Sequence, residues 1–179
     1  MEGFGSLVHL AGRFFGSLSP IGPPEAEVQW ARDQLNEGEQ ALFDRMSRAD
    51  RRHAIGVARE AKRLATAARM AVPDGFVQAA LLHDVGKVEA DLGTVARALV
   101  TLLAIALGRE RLLSWQASPS RWRAQAGSYL VHDRVGADLL AAAGSNDLVV
   151  SWAREHHLPS GRWTVDPEIG RLLKEADGD

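Results

Sequence analysis

Cysteine is absent from this 179-residue chain, which excludes a disulfide framework, a thiolate metal site and a cysteine nucleophile. Any metal must be held by histidine and carboxylate. An excess of one charge is also missing: 21 basic residues face 23 acidic ones, so no global affinity for duplex nucleic acid is expected. No apolar run reaches the ~20 residues that a spanning helix needs, and the longest, about 98–107, falls well short. The first residues lack the basic region of a secretory signal, and His9 and Arg13 interrupt their apolar pattern. A cytoplasmic location is the expectation.

What remains is helical. Alanine, leucine and arginine dominate, β-branched runs are scarce, and apolar residues recur at helical spacing. Leu7, Leu10, Ala11, Phe14, Phe15 and Leu18 share one face of an amphipathic stretch that Pro20, Pro23 and Pro24 end. Residues 25–46 read as two short helices around Gly38, and 1–46 form an N-terminal helical extension to a main domain over 47–179. Ser47 and Asp50 are capping candidates for a helix to about Met70. Its stripe of Val57, Ala61, Leu64, Ala65 and Ala68 is preceded by His53 one turn earlier.

Pro73 and Asp74 open a helix over "DGFVQAALLHDVG" that Gly86 is expected to close. A long insert-like region, 92–128, follows. The next helix is expected to carry Tyr129, His132, Val135 and Leu139 together. Asn146 or Ser145 caps "DLVVSWAREHH", which Pro159 stops; Asp166 and Pro167 start a last helix that reaches Asp177. The expected fold is a single all-α domain.

Five of the six histidines, with two aspartates, fall on apolar helix faces or at helix ends: His53, His83-Asp84, His132, His156-His157 and Asp177. Any one imidazole there is readily a core residue with a single hydrogen bond, or a partner of the helix dipole. Four helices each burying one without a partner is costly, at about 1–3 kcal/mol per group, and a shared cation removes that cost. Nitrogen and oxygen ligands without sulfur suit Mn, Fe, Co, Ni or Zn better than Mg or Ca. Asp133, beside His132, is a candidate for orienting an imidazole, or an exposed residue.

The order His53, "HDVGK" over 83–87, His132, His156-His157 and Asp177 in "LLKEAD" resembles the metal-dependent HD phosphohydrolase superfamily, over about residues 48–178. The resemblance implies one divalent transition metal on His53, His83, Asp84 and Asp177. Asp84 would bridge to a second on His132, His156 and His157. It further implies hydrolysis of a small phosphorylated substrate, a nucleotide or cyclic dinucleotide, by a metal-activated hydroxide. Asp84 and Lys87 would then be the catalytic residues, with Lys87 on a phosphate oxygen as a point charge; a solvated helix-end lysine is the alternative. Branches with one metal keep only the first His, the HD pair and the last Asp. The Gly-Tyr-Pro signature of one cyclic-di-GMP-degrading branch is missing, which points away from that substrate. Asp179 competes with Asp177 as the last ligand.

Two other functions are open to this sequence. One is a di-iron oxygenase on a similar scaffold; the other is a nucleotide-sensing or membrane-peripheral module. Five arginines against one glutamate give 92–128 a net charge of +4. That segment reads as a core hairpin with solvated arginines, a lid over a polyanion, or a membrane-surface element. The stretch 5–18 has an interfacial composition too, and packing on its own domain or on a homodimer mate is its other use.

Overall fold

A computed structural model describes residues 22–90 and 92–178; the amphipathic stretch 5–18, His9 and Asp179 lie outside them. Ten α-helices, no strand and three short 3-10 turns make up the described residues. Side-chain caps set several helix starts. Asn36 and Glu39 form a reciprocal capping box, with Asn36 Oδ1 accepting from Glu39 N at 2.9 Å and Glu39 Oε2 from Asn36 N at 3.0 Å. Ser47 Oγ accepts from Asp50 N, Asn146 Oδ1 from Val149 N, and Asp166 Oδ1 from Glu168 N and Ile169 N.

In chain order the helices are α1 (Glu25–Arg32), α2 (Glu37–Arg45), α3 (Arg48–Ala67), α4 (Phe76–Leu82), α5 (Thr94–Leu107), α6 (Arg109–Leu113), α7 (Arg121–Tyr129), α8 (His132–Ala142), α9 (Asp147–Glu155) and α10 (Pro167–Asp177). The 20-residue α3 is the longest; α4 and α10 pack along it, and α9 lies between α4 and α8. Phe43, Phe76 and Trp152 are the largest side chains of the main core. Ala31, Leu35, Leu42, Phe43 and Met46 join it, so α1 and α2 share that core with the helices after residue 47. A separate minor core of Leu92, Val100, Leu112, Ala126 and Leu130 holds α5, α6 and α7 together.

Three sequence expectations are corrected. The break between α1 and α2 falls at 33–36 and not at Gly38, which sits inside α2. A Cβ there would come within 2.6 Å of Ala143 O, so Gly38 serves close approach of α2 to the end of α8. Gly86 does not close α4. The helix ends at Leu82, and Asp84 (φ −102, ψ 8) turns the chain into a 3-10 turn, Val85–Glu89, that contains Gly86. Tyr129 and His132 belong to different helices, because the chain bends at Leu130-Val131. Among the described residues no helix is long and apolar enough to cross a membrane.

Candidate metal centre

Helix ends deliver most of the polar side chains that meet inside this bundle. His83 and Asp84 leave the end of α4, His132 begins α8, His156 and His157 follow α9, and Asp177 is the last residue of α10. His53 comes from the second turn of α3. His83, Asp84, His132, His156 and Asp177 are buried, His53 is half-buried, and His157 is exposed.

Three of the imidazoles are oriented by one local device. His83 Nδ1 bonds Ala80 O at 2.9 Å, His132 Nδ1 bonds Tyr129 O at 2.7 Å, and His156 Nδ1 bonds Ala153 O at 3.0 Å. In each case the carbonyl belongs to the residue three positions back. A carbonyl can only accept, so each Nδ1 carries the hydrogen and the Nε2 of a neutral ring is a bare lone pair. Those lone pairs face carboxylate oxygens. Asp84 Oδ1 lies 3.3 Å from His132 Nε2 and 3.7 Å from His156 Nε2, and Asp84 Oδ2 lies 3.4 Å from His83 Nε2. Asp177 Oδ1 lies 2.9 Å from His53 Nε2 and 3.7 Å from His83 Nε2. His157 Nε2 closes on His132 Nε2 at 3.3 Å.

Lone pairs facing a carboxylate repel unless a proton or a metal cation lies between them. At these separations His53 Nε2, His83 Nε2, Asp84 Oδ1 and His156 Nε2 are buried without an aligned hydrogen bond. A buried polar atom left unsatisfied costs about 1–3 kcal/mol, and a proton or cation placed among these atoms removes that cost. The donor atoms fall into two sets, each with its atoms within 4.8 Å of one another: Asp84, His132, His156 and His157, and then His53, His83 and Asp84. Asp84 is common to both, and Asp177 adjoins the second. The residues therefore fit a pair of divalent cations that accept nitrogen and oxygen ligands.

Burial disfavours a proton on His83, but Asp84 and Asp177 outweigh it and raise its pKa to about 9. Burial likewise opposes charge on Asp84, yet Lys87 and His83 hold its carboxyl well below the usual carboxylate range. Burial pushes His156 down. Although part of its ring reaches solvent, His157 is lowered by desolvation of the side that faces the cluster and by the neighbouring His156 and His132, so it stays a neutral donor.

Lys87 is not the solvated lysine of the alternative expectation. Its side chain is 16 % exposed and its Nζ donates to Asp84 Oδ2. Asp133 orients no imidazole; its Oδ1 accepts from the adjacent Arg134 N at 2.9 Å. The partners that do position the ligands were hidden from sequence. Tyr129 stacks on His132 at 5.4 Å between ring centroids. Lys174 Nζ donates to His156 O at 2.8 Å. Buried Glu155 accepts from Thr164 N and Thr164 Oγ1, both at 2.6 Å, which ties down the loop after His156-His157. Glu155 resembles any solvated helix-end glutamate until the chain returns at Thr164, and no local signal marks that return.

Fold and centre together define a class: an all-helical protein with buried histidines and aspartates able to hold metal. Comparison with protein-family models, with curated proteins and with solved structures gives no match to this chain.

Proposed function

We propose that this chain is a metal-dependent phosphohydrolase of the HD type, acting on a phosphate ester of a nucleotide or cyclic dinucleotide. One observation carries the reading: buried donor atoms without an aligned hydrogen bond converge on a carboxylate, Asp84, that two ligand sets share. His53, His83, Asp84 and Asp177 would hold one cation, and Asp84, His132, His156 and His157 the other. Such a pair, when bound, supplies acidification of water at neutral pH and neutralisation of charge at phosphorus.

The chain's own residues supply the rest. Imidazoles fixed by helix carbonyls keep the Nε2 donors in register, so little is lost in ordering them. Lys87, the cation already on Asp84, is the group within reach to hold a phosphate oxygen as a point charge. Half-buried His53 and exposed His157 are the cluster residues in contact with solvent, where a small phosphorylated substrate would approach. The test is metal analysis followed by hydrolysis assays with Mn²⁺ over nucleotides, cyclic dinucleotides and generic phosphodiesters. The parent is expected to hold about two metal equivalents and to hydrolyse one of these, and Asp84→Ala to lose both properties. A folded protein that takes up no metal overturns the reading. So does one that carries two irons, consumes O₂ and leaves phosphodiesters intact.

A further inference from the structure

The minor core satisfies one side of α5 and leaves the other bare. Val100, Leu103 and Ala104 face Leu112, Ala126 and Leu130. On the opposite side Leu99 is 47 %, Leu102 59 % and Ile105 73 % exposed, and Leu107 at the helix end is 43 % exposed. A surface helix ordinarily turns polar residues outward, and here the pattern is inverted. Arg97 is the only charged residue of α5, and it points away from the stripe, to Asp50 Oδ1 and Oδ2 at 2.9 and 2.7 Å and to Lys87 O. An exposed apolar strip of this kind marks an interaction surface.

The same three-helix unit is also net positive. Within 92–128, with Arg97 paired to Asp50, four arginines remain against one glutamate, a net of +3 in a chain whose total is −2. Arg111, Arg121 and Arg123 are exposed, as is Trp122, and the Arg123 guanidinium lies 5.5 Å from the centre of the Trp115 ring. The unit thus combines exposed leucine and isoleucine with exposed arginine and tryptophan, the residue types of an element that lies in a lipid interface. A second copy of this chain fits less well, because a two-fold contact would set the same cationic unit against itself. At 14 residues α5 is too short to cross a bilayer.

We infer that the α5–α7 unit docks on an anionic lipid surface, with Leu99, Leu102, Ile105 and Leu107 at the acyl boundary and the arginines on headgroup phosphates. This goes beyond the proposed hydrolase chemistry, and its test needs neither metal nor turnover. The full chain is mixed with phosphatidylcholine vesicles, or with phosphatidylcholine–phosphatidylglycerol vesicles, and co-flotation is measured at low and high salt. The parent is expected to float with the anionic vesicles and to be released by salt. Ile105→Glu removes an aliphatic group that the lipid would bury and adds a charge, so its partition falls by roughly tenfold or more. Arg111→Glu weakens binding at low salt only. Both positions are exposed, so the thermal midpoint and helical circular dichroism stay those of the parent. Absence of flotation, equal flotation with neutral vesicles, or binding that survives Ile105→Glu overturns the inference. A dimer that Ile105→Glu splits also overturns it, by assigning the strip to a second copy.

Discussion

Replacing Gly86 by alanine tests how the centre is assembled without relying on any catalytic assay. A Cβ at this position would lie 1.9 Å from His132 O, 2.6 Å from Gly136 N and 2.8 Å from His132 C. All three are backbone atoms, so no rotamer change relieves the overlap. Ordinary contact begins at 3.4 Å, so the first turn of α8 must retreat by about 1.5 Å from its place at 1.9 Å. Overpacking of a tight interior costs about 1–3 kcal/mol, and the rigidity of these atoms puts Gly86→Ala at the upper end. At ~2–4 °C per kcal/mol for a chain of this length, the thermal midpoint falls by roughly 6–12 °C.

The same retreat carries His132 away from Asp84 Oδ1, now 3.3 Å from its Nε2, and leaves the His53, His83 and Asp177 side in place. Metal content is therefore expected to drop from about two equivalents to about one, read by elemental analysis beside the melting curve. Gly136→Ala is a graded control, because its Cβ would meet Gly86 N at 3.0 Å and should cost less. A Gly86→Ala protein that melts with the parent and keeps its metal would refute the reasoning.

Glu155→Ala removes the acceptor of Thr164 N and Thr164 Oγ1. It should cost about 1.5–3 kcal/mol in urea unfolding and weaken metal retention at His156-His157; an unchanged midpoint would show that the tie is not structural. In metal-free protein, Asp84→Ala strands Lys87 and Lys87→Ala strands Asp84, each costing on the order of 3–5 kcal/mol. The double variant should then be less damaged than the sum of the two, whereas strict additivity would dissolve the pair. Metal-free protein should also lose stability on both sides of neutrality. Below the ordinary histidine value of 6.5 the unfolded chain takes up protons that His156 and His157, with lowered pKa values, refuse. His83 acts in the opposite sense: its stabilisation is full below 6.5 and is lost as pH rises through about 9. A flat melting temperature from pH 5 to 9 would contradict both signs.

Helix starts were legible where one side chain makes the cap. Ser47, Asn146 and Asp166 could be picked out because their oxygens reach a backbone N–H two or three residues on, a wholly local bond. Asn36 and Glu39 make an equally local capping box, which places the start of α2 before Gly38 and not at it. Glycine misled twice for one reason. Gly38 and Gly86 were read as stops, and each is a point where another helix's backbone comes near, a tertiary fact with no local mark. The histidines and aspartates of the centre stood out by residue type and order. Their geometry did not, since the approach of His132 to Asp84 depends on how α8 packs on the turn at Val85–Glu89. Exposure of the α5 stripe was equally hidden, because an apolar helix reads as core until its neighbours are known.

The bond from each Nδ1 to the carbonyl three residues back has a consequence for how such a centre changes over time. A metal-ligating imidazole donates its other ring N–H to a carboxylate, a backbone carbonyl or water, and a carboxylate partner is open to replacement. Here His83, His132 and His156 are steered by main chain, which every amino acid supplies. Point substitutions around the cluster therefore cannot flip these rings to the other tautomer, short of distorting the helices that hold them. Their aim is as durable as the helices themselves. Variation in the cluster must then enter through the residues not held this way: His53, His157, Lys87 and the loop that Glu155 secures.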